Sequence, residues 1–141
     1  MKFWDTSALI PLVLREASSA AIRSLYEADS EAVVWWGTRV ECTSAIVRRA
    51  REGQLDEGSE THARERLRQL LDVAQEVGPT EDVRNRVERA LAVHPLRAAD
   101  ALQLAAALIW ARERPAGREL VSLDARLREA ARREGFTLLP A

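Results

Sequence analysis

KFWDTSALI, residues 2–10, is the stretch of the chain that decides its fold. An apolar run ends at one carboxylate, Asp5, and two hydroxyl residues, Thr6 and Ser7, lead at once into a second apolar run. This pattern predicts a buried strand followed by a helix that has Thr6 or Ser7 as its N-cap. Asp5 would then lie at the C-terminal end of a strand, where open α/β sheets form their ligand crevices.

The composition indicates one globular domain over residues 1–141. The chain has 47% hydrophobic residues, 30% charged residues and a net charge of −1, which argues against disorder and against a generally basic nucleic-acid binder. No apolar run approaches the ~20 residues of a membrane helix, and no leader with a cleavage site is seen, so we expect a cytoplasmic protein. Cys42 is the only cysteine, which excludes an internal disulfide and a cysteine-based zinc site.

Strands and helices alternate along the rest of the chain. Short apolar runs predict strands over residues 32–36, 119–123 and 136–139, with a short edge strand at 75–77. Helical spacing of apolar residues predicts helices over 7–14, 18–26, 38–52, 59–75, 81–92, 96–112 and 125–134. The sequence therefore predicts an α/β fold with a central, mostly parallel sheet of four to five strands flanked by about seven helices.

Signals at the helix ends support these boundaries. Thr38 and Glu41 are three residues apart and form a capping-box pattern. Thr80 is the expected N-cap of the helix over residues 81–92. Gly53 and Gly135 are placed to end the helices before them.

Four acidic residues occupy equivalent places in the predicted fold. Asp5 and Asp124 each end a strand immediately before a helix, and Glu41 and Asp100 lie in the first turns of helices. If the strands before Asp5 and Asp124 are neighbours, these two carboxylates face each other at a switch point of the sheet. Adjacent like charges raise one another's pKa, and a hard divalent cation with oxygen ligands removes that repulsion. A metal site is therefore one interpretation of the four residues.

Each of these carboxylates also has a structural interpretation. Glu41 fits equally well as the capping-box partner of Thr38. Asp124 fits as the N-cap of the following helix. Asp100 could pair with Arg97 one turn earlier, an interaction worth roughly 0.3–0.5 kcal/mol at the surface, although its helix is otherwise apolar.

Four segments together resemble the PIN-domain ribonucleases, and in particular VapC-like toxins of type II toxin–antitoxin systems. They are FWDTSAL (3–9), TRVE (38–41), LRAADALQLA (96–105) and LVSLDARL (120–127), in the right order and at the right spacing along the whole chain. The resemblance implies a PIN-like three-layer fold and an acidic metal site formed by Asp5, Glu41, Asp100 and Asp124, with Thr6 and Ser122 as supporting hydroxyls. Pro11 and Gln103 depart from the pattern, because many relatives have lysine and histidine there.

The resemblance also implies a function. It implies a metal-dependent endoribonuclease that hydrolyses RNA phosphodiester bonds with one or two Mg²⁺ or Mn²⁺ ions. It further implies a homodimer and a small cognate antitoxin whose peptide covers the active site. Three alternatives are a housekeeping nuclease, a catalytically inactive protein-binding module, and a phosphatase with Asp5 as nucleophile. The phosphatase would require a second aspartate where Ser7 stands.

Arginines supply the positive charge that RNA outside the acidic pocket needs. The candidates beside the site are Arg39, Arg48 and Arg49, and further along the chain Arg51, Arg126, Arg128, Arg132 and Arg133. For most of them we favour solvated helix faces, with Glu52, Glu129 and Glu134 as ion-pair partners. Trp35 and Trp36 could stack on bases, but we predict that both belong to the second strand and pack in the protein core.

Overall fold

Five strands form one parallel sheet at the centre of the molecule. They are β1 (Lys2–Trp4), β2 (Ala32–Trp35), β3 (Gln75–Val77), β4 (Glu119–Val121) and β5 (Thr137–Leu139). In the computed structural model, which describes residues 1–141, their order across the sheet is β3-β2-β1-β4-β5. Phe3 of β1 pairs with Val33 on one side and Leu120 on the other. β1 and β4 are therefore neighbours, the condition under which Asp5 and Asp124 lie together at one edge of the sheet.

Seven helices cover the two faces of the sheet. They are α1 (Thr6–Val13), α2 (Ser19–Ala28), α3 (Thr38–Arg51), α4 (Glu57–Asp72), α5 (Glu81–Val93), α6 (Ala98–Trp110) and α7 (Ala125–Glu134). The predicted three-layer α/β architecture and its numbers of strands and helices are therefore confirmed. None of the helices combines the length and apolar character that crossing a membrane would require.

Successive residues of the strands point to opposite faces and build two separate cores. Phe3 and Leu120 belong to the core that α5, α6 and α7 cover. Trp4 and Val121 belong to the core on the other face, under α1 to α4. Full burial of each such side chain contributes roughly 1.5–3 kcal/mol. Because both faces are covered, β1 and β2 are buried along their whole length, whereas β3 at the edge of the sheet is largely exposed.

Two predicted helix caps are wrong, and in both cases a hydroxyl serves a tertiary contact. Asp5 is the N-cap of α1, because its side chain accepts a hydrogen bond from the backbone N–H of Ser7, so neither Thr6 nor Ser7 caps that helix. Gly37 is the N-cap residue of α3, and Thr38 is the first helical residue. The fully buried Thr38 hydroxyl accepts a hydrogen bond from Gln103 instead. The capping box of Thr38 and Glu41 is therefore absent.

Other boundaries differ by a few residues. The α4 helix begins at Glu57 instead of residue 59, because Asp56 is its N-cap and accepts from the backbone N–H of Ser59 at 2.7 Å. The α6 helix begins at Ala98 instead of residue 96. The predicted ends at Thr80 and Gly135 are confirmed, with Gly135 at a left-handed φ of 109°.

The two neighbouring tryptophans have different environments. Trp35 is 6% exposed and belongs to the core, as predicted. Trp36 follows the end of β2 and is 52% exposed, so its predicted core position is wrong. The strand ends one residue earlier than expected, and the next residue points to solvent.

Candidate active site

The four predicted carboxylates line one surface cavity of about 440 Å³. Asp5 follows β1 and Asp124 follows β4, so the parallel pairing of these strands brings the two residues to the same edge of the sheet. Glu41 lies in the first turn of α3 and Asp100 in the first turn of α6. The four side chains thus come from four segments that are far apart in the sequence, and from both helical layers.

Asp5 is a buried carboxylate whose hydrogen bonds come from hydroxyl and amide groups only. It is 4% exposed, and its Oδ2 accepts from Ser7 Oγ at 2.5 Å, from the Ser7 N–H at 3.3 Å and from Ser122 Oγ at 2.9 Å. Burial raises the pKa of Asp5 although these hydrogen bonds favour the ionised form, and the charge of Asp124 raises it further. The other carboxylate oxygen accepts no hydrogen bond from the protein, so it is free for a ligand.

Ser7 and Ser122 connect Asp5 to the segment that carries Asp124. Ser7 Oγ accepts from the backbone N–H of Leu123 at 2.8 Å, and Ser122 Oγ accepts from that of Asp124 at 3.1 Å. Each hydroxyl then has its proton available for Asp5. Ser122 was expected to support the site, whereas for Ser7 the sequence left open whether it caps the helix or holds Asp5 in place. Its position two residues after Asp5, typical of a side chain that bonds its own loop, was the available signal.

Asp124 combines a structural contact with its place in the cavity. Its Oδ1 accepts from the backbone N–H of Leu127 at 2.8 Å, so it is the N-cap of α7. The same side chain lines the acidic cavity. The structural interpretation and the site interpretation of Asp124 therefore do not exclude each other.

Glu41 is held by a hydroxyl and an amide. Its Oε2 accepts from Thr6 Oγ1 at 2.9 Å, and Gln103 Nε2 lies 3.5 and 3.4 Å from its two oxygens. Burial raises the pKa of Glu41, and the charges of Asp5 and Asp100 add to the effect. Gln103 was noted in the sequence only as a departure from a pattern, because spacing alone did not reveal its contacts.

Asp100 forms no salt bridge, so the alternative of a close pair with Arg97 is absent, and the charge of Arg97 is the weakest influence on its pKa. The residue is half-buried in the first turn of α6. Burial raises its pKa, the charge of Asp124 raises it further, and Arg126 and Arg97 oppose this more weakly from a distance. The charges of these arginines therefore only partly offset the repulsion between Asp100 and Asp124.

Two of the three arginines expected near the site reach the cavity. Arg48 and Arg49 both line it. Arg49 forms an ion pair with Glu16, which lines the same cavity, whereas Arg48 is exposed and forms no ion pair. Arg39 lies outside the cavity and pairs with Asp72 at 3.2 Å. Arg48 is therefore an arginine of the cavity wall that no carboxylate of the protein pairs with.

Three of the four arginines of α7 are used in other ways, whereas Arg126 is exposed, forms no ion pair and opposes the rise in the pKa of Asp100. Arg128 donates to the backbone carbonyls of Ser122 at 2.8 Å, Leu139 at 3.1 Å and Pro140 at 2.8 Å, so it stabilises the chain around β4 and β5. Arg132 and Arg133 both pair with Glu129. The expected pairing with Glu134 is absent there, since Glu134 contacts His94 and Arg86.

The donor chemistry of the cavity fits a hard divalent cation. All of its acidic groups are carboxylates, and hydroxyl groups lie beside them. Burial and neighbouring negative charges raise the pKa of Asp5, Glu41 and Asp100. No three Asp, Glu, His or Cys side chains are already grouped so that they could hold one metal ion. Asp5 and Glu41 direct oxygens toward hydroxyl groups instead. The oxygen donors of the cavity are therefore of the kind that a hard divalent cation prefers, but they are not arranged as a complete coordination shell.

The fold and the cavity define an α/β protein with a carboxylate site at the C-terminal edge of a parallel sheet. A family model of the PIN domain matches residues 2–138, so the chain belongs to the PIN domain family. A comparison with curated proteins found no match.

Several solved structures share this fold. VapC20 from Mycobacterium tuberculosis, described as a toxin that cleaves the sarcin–ricin loop, superposes with a TM-score of 0.71 at 17% identity over 97% of each chain. A toxin–antitoxin complex from Klebsiella pneumoniae gives 0.63 at 19% identity, over 89% of this chain and 88% of that one. FitAcB from Neisseria gonorrhoeae gives 0.68 at 12% identity, over 98% and 96%. At these identities the likeness is one of fold.

Proposed function

We propose that this protein is a metal-dependent endoribonuclease. The observation that supports this proposal is the convergence of Asp5, Glu41, Asp100 and Asp124 on one cavity in a member of the PIN domain family. Their charges repel one another and no cation of the protein pairs with them, as expected for a site that binds Mg²⁺ or Mn²⁺. One or two ions would be held there.

Each carboxylate has a role in this proposal. Asp5, Asp100 and Asp124 would hold the ion, directly or through water. When bound, such an ion would lower the pKa of a water molecule and would neutralise the negative charge that develops on the leaving oxygen. Glu41 is either a further ligand or the group that orients and deprotonates the attacking water. Ser7 and Ser122 keep Oδ2 of Asp5 occupied, which leaves its other oxygen for the ion.

The substrate class is RNA, with Arg48 as the expected contact to a phosphate beside the scissile bond. Arg48 is exposed at the rim of the acidic cavity and forms no ion pair. A guanidinium can bind a phosphate through two hydrogen bonds. The acidic cavity alone repels RNA, so both binding and cleavage should depend on the added cation.

The test is cleavage of RNA by the purified protein in added Mg²⁺ or Mn²⁺, with Asp5→Asn and Asp100→Asn combined. We expect at least a hundredfold loss of cleavage and loss of the rise in Tm that Mn²⁺ gives the unchanged protein. Asp56→Asn is the matched control, because Asp56 caps α4 outside the cavity and asparagine is an equally good cap. A loss of less than about tenfold in the double variant would contradict the metal site.

We further propose that the protein acts in the cytoplasm as the toxin of a toxin–antitoxin pair and forms a homodimer. The solved structures that share its fold include a toxin and a toxin–antitoxin complex. Induction should arrest growth, and a small neighbouring reading frame or Asp5→Ala should relieve the arrest. Unaffected growth together with cleavage in vitro would indicate a housekeeping nuclease. Absence of both cleavage and metal binding would indicate a protein-binding module.

A further inference from the structure

Gln103 is a buried polar side chain directly behind the acidic cavity. It is 1% exposed and lies on α6, three residues after Asp100. Its Nε2 is 3.1 Å from both Thr6 Oγ1 and Thr38 Oγ1, and it also approaches the Glu41 carboxylate. One amide group thus contacts the segment that follows Asp5 and the helix that carries Glu41, while its own helix carries Asp100.

We propose that Gln103 is a positioning residue that sets the mutual spacing of Asp5, Glu41 and Asp100. The direction of its hydrogen bonds supports this role. An amide nitrogen has no lone pair to accept with, so the Thr6 hydroxyl accepts from Gln103. The single proton of Thr6 is then directed to Glu41 Oε2 at 2.9 Å. The result is an ordered chain from Gln103 through Thr6 to Glu41.

The oxygen of the same amide shows that packing alone does not explain this residue. Gln103 Oε1 is buried and has no hydrogen-bond partner, whereas the nitrogen has several. A buried acceptor without a hydrogen-bond partner lowers the stability of the fold, so the amide of Gln103 is unfavourable for stability in this respect. We therefore attribute the role of Gln103 to the hydrogen bonds that its Nε2 donates.

The inference rests on the proposed metal-dependent activity, and metal binding is its main test. For Gln103→Leu we expect at least tenfold weaker Mn²⁺ binding by titration calorimetry and at least a tenfold lower kcat on RNA, with KM within twofold. KM should hold because Gln103 is buried away from the rim where RNA would bind. Gln103→His should recover most of the Mn²⁺ affinity, because histidine also presents an N–H donor.

Leu108→Ala is the matched control. Leu108 is 1% exposed on the same helix and packs in the core away from the cavity. Its loss should lower Tm at least as much as Gln103→Leu but leave Mn²⁺ affinity within twofold. If Gln103→Leu does not fold, Thr6→Val interrupts the same chain at its second link and should weaken Mn²⁺ binding by a similar factor.

The outcomes separate this inference from the proposed function. Normal Mn²⁺ binding by both Gln103→Leu and Thr6→Val, or equal weakening by Leu108→Ala, would overturn the positioning role alone. If the unchanged protein neither binds Mn²⁺ nor cleaves RNA, the proposed function fails first and the positioning role fails with it. Weaker binding confined to the Gln103 and Thr6 variants supports the inference.

Discussion

Asp5 holds a buried negative charge that three hydrogen bonds only partly compensate. Burial raises its pKa in the folded state above that of the unfolded chain, so the folded protein binds more protons between the two values. The contribution of Asp5 to the stability of the metal-free protein is therefore most favourable below its unfolded pKa, and it is lost as pH rises through its folded pKa. The negative charge of Asp5, which would favour binding of a metal ion, thus lowers the stability of the folded protein when no metal is bound.

Asp5→Asn should consequently stabilise the metal-free protein at pH 7. The amide removes the buried charge and can still accept from Ser7 and Ser122 through its oxygen. We expect a higher Tm in EDTA, by several degrees at roughly 4 °C per 1 kcal/mol, and a smaller difference at pH 4. Thermal unfolding at both pH values measures this. A lower Tm at pH 7 would show that the hydrogen bonds outweigh the cost of burial.

Arg48 allows a second prediction at the scale of one residue. Arg48→Ala should raise KM for RNA about tenfold, because a phosphate contact is lost, and should reduce the salt slope of RNA binding by about 0.7. Stability should not change, since the side chain is exposed and forms no ion pair. Arg51→Ala is the control on the same helix, exposed and outside the cavity. Equal effects of the two variants would indicate a general charge effect.

The junction of β2 and α3 depends on the absence of a side chain at Gly37. A Cβ there would lie 2.5 Å from Nε1 of Trp35, whose ring is packed in the core. Gly37→Ala should therefore reduce the free energy of unfolding by about 1–3 kcal/mol. Urea denaturation measures this loss, with Gly78→Ala as the control, because nothing lies within 4 Å of that position. A loss below 0.5 kcal/mol would show that the indole moves aside.

Elements were predicted well where a local pattern decides them and poorly where a tertiary contact does. The strand–helix alternation and the caps at Thr80 and Gly135 depend on residues within a few positions of each other. The N-caps of α1 and α3 were missed, because the Thr6 and Thr38 hydroxyls bind partners from distant parts of the chain. For polar residues near a site, the local sequence pattern predicts a helix cap, whereas the side chain forms a hydrogen bond to a distant segment instead.

The candidate site shows the same limit at the scale of the molecule. Its four carboxylates were named from the sequence because they follow strands or begin helices, and the parallel sheet brings such positions to one edge. Ser7 and Gln103 were not named as part of it, since their contacts join segments roughly a hundred residues apart. Hydrogen-bond partners at that separation follow from the assembled layers and not from spacing.

Cys42 offers a way to observe these layers separating. It is fully buried beside Glu41 in the sequence, and burial raises the pKa of its thiol to about 12. Only the thiolate reacts with alkylating reagents, so the native protein should be labelled at neutral pH only when α3 opens away from the sheet. The labelling rate therefore reports how often α3 separates from the sheet beside the carboxylate cavity. We expect Mn²⁺ to slow this rate at least tenfold, measured by mass spectrometry, and the same ion to have no effect in Asp5→Asn combined with Asp100→Asn.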